Sequence, residues 1–417
     1  MQKAFARLRE NAFPYHLHGL SGGIFAFFLA EYIRCFDSDI CIIVPTEKEI
    51  EELRADLDIA GVQVRILPWW GNMAYRPVPN SAPVFAERAQ TLGELCFGAQ
   101  GGSLTVMTQR AFLTPAPPPD YLKTLTYTLH KGAEIDTEKI ASLLVQWGYT
   151  RVPRVSVRGE FALRGEVLDI CAAANKGSQH TAYRIQFDFT AIEKIKSFDM
   201  HTQASVEEFD SLILYPMKEV IWDDERIAVL EKNVRNLPEF TPEGIEKLIA
   251  HLKEYRSFDG EELFYPLCFE KPSSAVDYLM HGSQEPTALL YMDYDRQLNA
   301  VEALEREYHG LYNKMTRAID DDLKHNLLIT EYPMPQRLLL NFTDLTTAYR
   351  HSIFLRTLKE SGGGIEQIVF NCDPPRSFFG NIVYLKEELT HLQKEGWRIF
   401  VFAESDAQAL RIGELLK

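Results

Sequence analysis

Residues 19–26, Gly-Leu-Ser-Gly-Gly-Ile-Phe-Ala, carry glycine and hydroxyl spacing that could serve either of two reactions. A phosphate-binding loop, G-x-x-x-x-G-K-[ST], finds its first glycine in Gly19. It then meets Ile24, Phe25 and Ala26 where glycine, lysine and a hydroxyl should stand. The lysine neutralises the β- and γ-phosphates and the hydroxyl holds Mg²⁺, so an apolar pair does neither. A nucleophile elbow, G-x-S-x-G, is matched by Gly19, Ser21 and Gly23. Eighteen preceding residues are too few for the earlier strands and oxyanion-hole loop such an elbow needs, so Ser21 reads as a turn hydroxyl. A residual nucleotide-binding or hydrolytic enzyme using Gly19–Ala26 is the alternative reading, and ATP binding or ester hydrolysis would be its mark.

A second altered motif lies far along the chain. In Leu-Leu-Tyr-Met-Asp-Tyr-Asp the apolar run ending at Asp293 has the Walker B form, but Tyr294 stands where a glutamate would orient water. The aromatic loop 67–77 could stack bases, yet tryptophans beside prolines pack a loop onto a core. His16 and His18 share a strand face without a third metal ligand nearby, and 320–325 reads as a solvated helix end.

The arginines of 151–170 and 182–189 form a different constellation. Four arginines against Glu160 and Glu166 make a basic strip on an acidic chain. Period-two alternation sends Phe161 and Leu163 one way and Arg164 the other. It likewise separates Tyr183, Ile185, Phe187 and Phe189 from Arg184, Gln186 and Asp188. Arg164 and Arg184 are therefore expected on one solvent side of one sheet, as a docking patch or as solubilising charges. Direct DNA binding by 151–164 is a third possibility. The net charge of −15 opposes it, and a steep salt dependence would reveal it.

The elements that must position these residues follow from the pattern. The chain has 417 residues, 46% of them apolar and 25% charged, enough for several cores. Six cysteines without a C-x-x-C pair argue against a zinc ribbon or a disulfide framework. The longest apolar run near the N-terminus is far short of a membrane span, and a cytoplasmic location is expected. Helix 24–34, strand 39–45, helix 46–59 with a Thr46–Glu49 capping box, strand 62–68, helix 86–97 and strand 103–109 predict a parallel sheet. Prolines in 114–120 mark a boundary, followed by helix 137–147 and antiparallel strands to Leu214. Long helices at 223–255 and 296–325 flank a strand at 287–295, and the chain closes with helix, strand 398–403 and helix.

These segments together resemble the N-terminal region of the bacterial transcription-repair coupling factors, whose first domains are similar to the repair helicase UvrB. The resemblance is carried by LPWWGNMAYRP, AERAQTLGEL, GYTRV, RGEFALRGEVLDI, YRIQFDF, IKSFD, DGEELFYPLCFE and SAVDYL, in the family's order. It implies an α/β fold: a degenerate RecA/helicase-like parallel-sheet lobe with an inserted α+β antiparallel-sheet domain, then the beginning of a further α/β domain. The expected division is 1–118 for the first part of the lobe, 119–216 for the inserted UvrA-binding-type domain, 217–355 for the lobe's continuation with long helices, and 356–417 for the start of a small α/β domain.

By the same resemblance the chain is a non-catalytic module docking UvrA, with no cofactor and no metal of its own. The full-length parent would be an ATP- and Mg-dependent DNA translocase that displaces stalled RNA polymerase, with the docking face masked by a later domain. RNA polymerase and DNA would be partners of the parent's other parts, and no membrane is involved. The family's docking arginines fall on Arg164 and Arg184, and its aromatic falls on Asp188. Phe189 next door is expected to face the core by alternation, which would deprive the face of its aromatic contact.

Overall fold

The computed structural model describes residues 2–10, 12–20, 23–36, 38–71, 73–97, 102–172, 182–281, 287–317, 328–356, 365–372, 381–397, 399, 401, 403 and 405–416. Strand labels run in chain order: β1 Tyr15–His18, β2 Ile40–Val44, β3 Val64–Leu67, β4 Leu104–Thr108, β5 Tyr127–His130, β6 Thr150–Arg151, β7 Glu160–Arg164, β8 Val167–Cys171. They continue with β9 Ala182–Asp188, β10 Ala191–Phe198, β11 Ser205–Phe209, β12 Ser211–Leu214, β13 Ala288–Tyr291, β14 Ser352–Arg356 and β15 Glu366–Val369.

Continuous apolar strands such as Ile-Cys-Ile-Ile-Val (β2) and Ala-Leu-Leu-Tyr (β13) must be covered on both faces, which a parallel sheet between helical layers achieves. The seven strands run β15-β1-β14-β13-β2-β4-β3, all pairs parallel. Ile40, Ile42 and Val44 join Phe25, Phe28 and Leu29 of helix Gly23–Phe36 in one core, while Cys41 and Ile43 join Phe85, Leu92 and Phe112 in the other. The expected capping box is present at helix Glu47–Ile59, where Thr46 N–H donates to Glu49 Oε2 at 3.1 Å.

Strands on either side of the central segment interleave in this sheet, β13 lying directly between β2 and β14. The segment between β4 and β13 builds a separate sheet, β11-β10-β9-β8-β7-β6, antiparallel except for β6–β7. Helix Thr137–Gln146 lays Ile140 and Leu144, with Trp147 just beyond it, on the face made by Phe161, Leu168, Ile170, Ile185 and Ile195. β5 and β12 pair antiparallel where the chain enters and leaves this unit. Just beyond, buried Glu219 accepts a hydrogen bond from Arg88 at 2.8 Å. Removing either partner alone would leave a buried charge uncompensated, a loss of about 3–5 kcal/mol.

Three expectations change. The helix predicted over 223–255 is two helices, Asp224–Val234 and Pro242–Tyr255, because Pro238 and Pro242 interrupt the ladder between them. The helix predicted over 296–325 is Tyr294–Arg317; residues 318–327, with the predicted helix end at 320–325, lie outside the described residues, as do alternate positions of the strand predicted over 398–403. Finally, β15 belongs to residues assigned to a following domain but pairs with β1, Tyr15 opposite Glu366 through His18 opposite Val369, so the lobe's sheet extends past residue 355. Helices Ile382–Lys394 and Asp406–Leu416 follow it with no buried side chain. No helix among the described residues is long and apolar enough to cross a membrane.

Candidate docking face

In the stretch 19–26, Gly19 closes β1 with φ +83°, a backbone that favours glycine. A Cβ there would come within 2.1 Å of the Phe370 carbonyl oxygen, and Phe370 N–H donates to His18 O at 2.8 Å. The chain leaving β15 thus lies against the turn. Phe25 and Ala26 are buried in the sheet core and Ile24 is partly exposed. The side chain at the lysine position therefore points into apolar packing. Ser21 lies outside the described residues.

The Walker B-like strand ends earlier than expected. β13 stops at Tyr291, Asp293 takes a left-handed φ of +54°, and Tyr294 opens the long helix. The Tyr294 ring packs against Phe342 and Phe354, with the Arg356 guanidinium 5.8 Å from its centroid. Arg356 Nε donates to Asp295 Oδ1 at 2.9 Å. His16 and His18 lie 6.4 Å apart, ring to ring, and no group of three or more potential metal ligands exists among the described residues. Trp70 is buried, with Arg88 stacked 4.7 Å over its ring, so the aromatic loop packs onto the core.

Alternation does place Arg164 and Arg184 on one side of the antiparallel sheet, opposite the face of Ile185 and Phe187, but it does not leave both free. Between them lies Asp169, directly across from Arg184 in the β8–β9 register. Its carboxylate is 1% exposed and accepts three charge-assisted bonds: Arg184 Nε at 2.7 Å, Arg184 Nη2 at 3.0 Å and Arg164 Nη2 at 2.6 Å. Arg184 is 20% exposed and further held by Gln203 Oε1 at 3.2 Å and by the Phe198 ring 4.7 Å away. The Asp169 hydrogen bonds raise the pKa of Arg184 above its ordinary value. Arg164 is half exposed. Asp188 is exposed at the end of β9.

Phe189 departs from the sequence expectation. β9 ends at Asp188, which pairs with Ala191, so Phe189 and Thr190 form a two-residue hairpin turn and the alternation stops one residue early. Phe189 has φ +56° and is 83% exposed. A bulky side chain in that backbone region stores about 1–3 kcal/mol of strain, a condition that concentrates at binding sites. The turn is fixed from below, where Thr190 O accepts Ile135 N–H at 2.7 Å. Two elements that sequence reasoning missed thus complete the face, a buried carboxylate under the arginines and an aromatic at the hairpin tip.

The unit carrying this face matches a known family. Residues 127–220 correspond to the UvrB interaction domain. The chain as a whole is similar to the N-terminal region of the transcription-repair-coupling factors, as its sequence resemblance implied. It is 27% identical to that of Borreliella burgdorferi over 98% of this chain and 34% of the relative. It is 26% identical to that of Rickettsia bellii over 76% of this chain and 27% of the relative, and 25% identical to that of Staphylococcus epidermidis over 81% and 28%. The chain therefore spans about a third or less of the length of these relatives.

Proposed function

We propose that this chain is a non-catalytic docking module of transcription-coupled nucleotide excision repair, binding the damage sensor UvrA through the outer face of β7–β9. The observation that carries this reading is the Asp169 clasp, which holds Arg164 and Arg184 in fixed relation on a sheet that ends in the exposed Phe189. Guanidinium forks already oriented by one carboxylate lose little freedom when they meet carboxylates of a partner. Asp188 would tune the face beside Phe189 rather than supply its apolar contact.

The non-catalytic reading is supported by the burial of Phe25 and Ala26 and by the packing of Tyr294 against Phe342 and Phe354. With no lysine or hydroxyl at those positions, ATP and Mg²⁺ are assigned to the parent protein outside this region. The parent is proposed to be a cytoplasmic ATP-driven DNA translocase that displaces stalled RNA polymerase, so DNA and RNA polymerase are its partners elsewhere. The test is gel filtration with purified UvrA: co-elution is expected, and Arg164→Ala with Arg184→Ala should abolish it. Co-elution that survives the double substitution rejects the assigned face.

A further inference from the structure

Two bodies of one chain move relative to each other by default, unless the contact between them holds them in one arrangement. Here the chain that leaves the antiparallel-sheet unit is fastened to both bodies within five residues. After β12 it runs through Tyr215, Pro216, Met217, Lys218 and Glu219, and its side chains divide between the unit and the lobe.

Three of them are held by the lobe. Lys218 Nζ donates to Ser257 Oγ at 2.7 Å and meets the buried Glu261 carboxylate at 2.6 Å. Glu219 is buried with Arg88, whose Nε donates to its Oε1 at 2.8 Å. The Tyr215 ring lies over Gly93 of helix Pro83–Phe97, so close that a Cβ there would stand 2.6 Å from it. Met217 belongs to the unit. Its side chain fills the space between Gly148 and Gly159, where added Cβ atoms would come within 3.3 Å and 2.7 Å of it. The backbone of the same stretch is also bonded to the unit. Tyr149 OH donates to the Tyr215 carbonyl at 2.8 Å, and Met217 N–H donates to Trp147 O at 2.8 Å.

A second tie comes from another part of the unit. Arg158, on the segment between β6 and β7, pairs with Glu87 of helix Pro83–Phe97 at 3.5 Å. Turning the unit would either draw Lys218 and Glu219 from their buried partners, leaving uncompensated charge, or pull Met217 out of close packing. We propose that residues 215–219, with the Arg158–Glu87 pair, form an orientation lock that makes the antiparallel-sheet unit and the parallel-sheet lobe one rigid body. The lock itself does not depend on what the unit binds. Its consequence rests on the docking reading above: a UvrA molecule held on β7–β9 takes a fixed angle to the lobe.

The test is double electron–electron resonance on the full chain, with spin labels carried by p-acetylphenylalanine at the exposed positions Lys139 in the unit and Glu246 in the lobe. The native chain should give one narrow distance distribution. Met217→Ala with Glu87→Gln should widen it at least twofold while a cooperative melting transition is kept, and Glu87→Gln alone, which carries little folding risk, should widen it by less. Met217→Leu, which refills the space between the glycines, should stay narrow. A broad or divided distribution in the native chain, or a width indifferent to both Glu87→Gln and the double substitution, would overturn the lock. Gel filtration with UvrA separates the two readings, because the widened variants keep Arg164, Arg184 and Phe189 and should co-elute as the native chain does; failure of the native chain to co-elute counts against the docking reading alone.

Discussion

Asp169 faces Arg184 across the β8–β9 ladder and grips it with both carboxylate oxygens, at 2.7 and 3.0 Å, while the same carboxylate accepts Arg164 from the neighbouring strand at 2.6 Å. One buried anion therefore sets the geometry of two cations, and the cations differ in how much of the fold they support.

That asymmetry separates stability from binding. Arg184→Ala leaves Asp169 without its bidentate partner and opens the Gln203 and Phe198 contacts, so a loss of about 1–3 kcal/mol of unfolding free energy is expected in urea denaturation. Arg164→Ala removes a half-exposed side chain and should cost under about 1 kcal/mol. If both arginines contact UvrA, each substitution weakens binding despite this difference; equal destabilisation by the two would show that the clasp is wrongly apportioned.

Phe189→Gly should move stability and binding in opposite directions. Glycine accepts φ +56° without strain, so the variant should be as stable as the native chain or more stable by up to about 1 kcal/mol. Loss of the exposed ring should weaken UvrA binding at least tenfold in a titration. A variant that binds as well as the native chain would remove the aromatic from the docking face.

The period-two pattern made the arginine face legible, because Ile185 and Phe187 had to turn inward and so turned Arg184 outward. The same pattern in β8 put Asp169 opposite Leu168 and Ile170, a signal available in principle. Pairing it with Arg184 needed the strand register, which alternation alone does not provide. Phe189 was misplaced because its turn, Phe-Thr, lacks the Asn-Gly or Asp-Gly signature of a two-residue hairpin. The edge position of β15 was hidden for a related reason. Parallel pairing with β1 joins residues about 350 apart, and nothing local encodes which strand a crossover reaches.

In the stretch 19–26, Phe25→Lys should not confer ATP hydrolysis. Phe25 is packed in the core, so an ammonium there either unfolds the helix Gly23–Phe36 or gives up its charge, with a loss of several kcal/mol. Phosphate release measured on any folded variant should stay at background. Measurable ATP turnover in the native chain would contradict the non-catalytic reading.

Glu262 supplies a pH dependence. Burial raises its carboxyl to about 8, and its Oε1 accepts Val78 N–H at 3.0 Å. Because the folded pKa lies above the unfolded one, the folded state binds more protons between about pH 4.5 and 8, and this group's contribution to stability is present at low pH and lost as pH rises through that window. Glu262→Gln removes the titration. The melting temperature of the variant relative to the native chain should therefore rise from pH 5 to pH 8; a constant difference across that range would refute the assignment.

The central claim is most directly tested by isothermal titration of UvrA into the purified chain, comparing the native sequence with Arg164→Glu, which changes an accessible charge while Arg184 retains its bidentate hold on Asp169. Saturable binding by the native chain and none by the charge-reversed one, with the variant still showing a cooperative melting transition above the titration temperature, is the predicted result. Equal affinity for both would contradict the account.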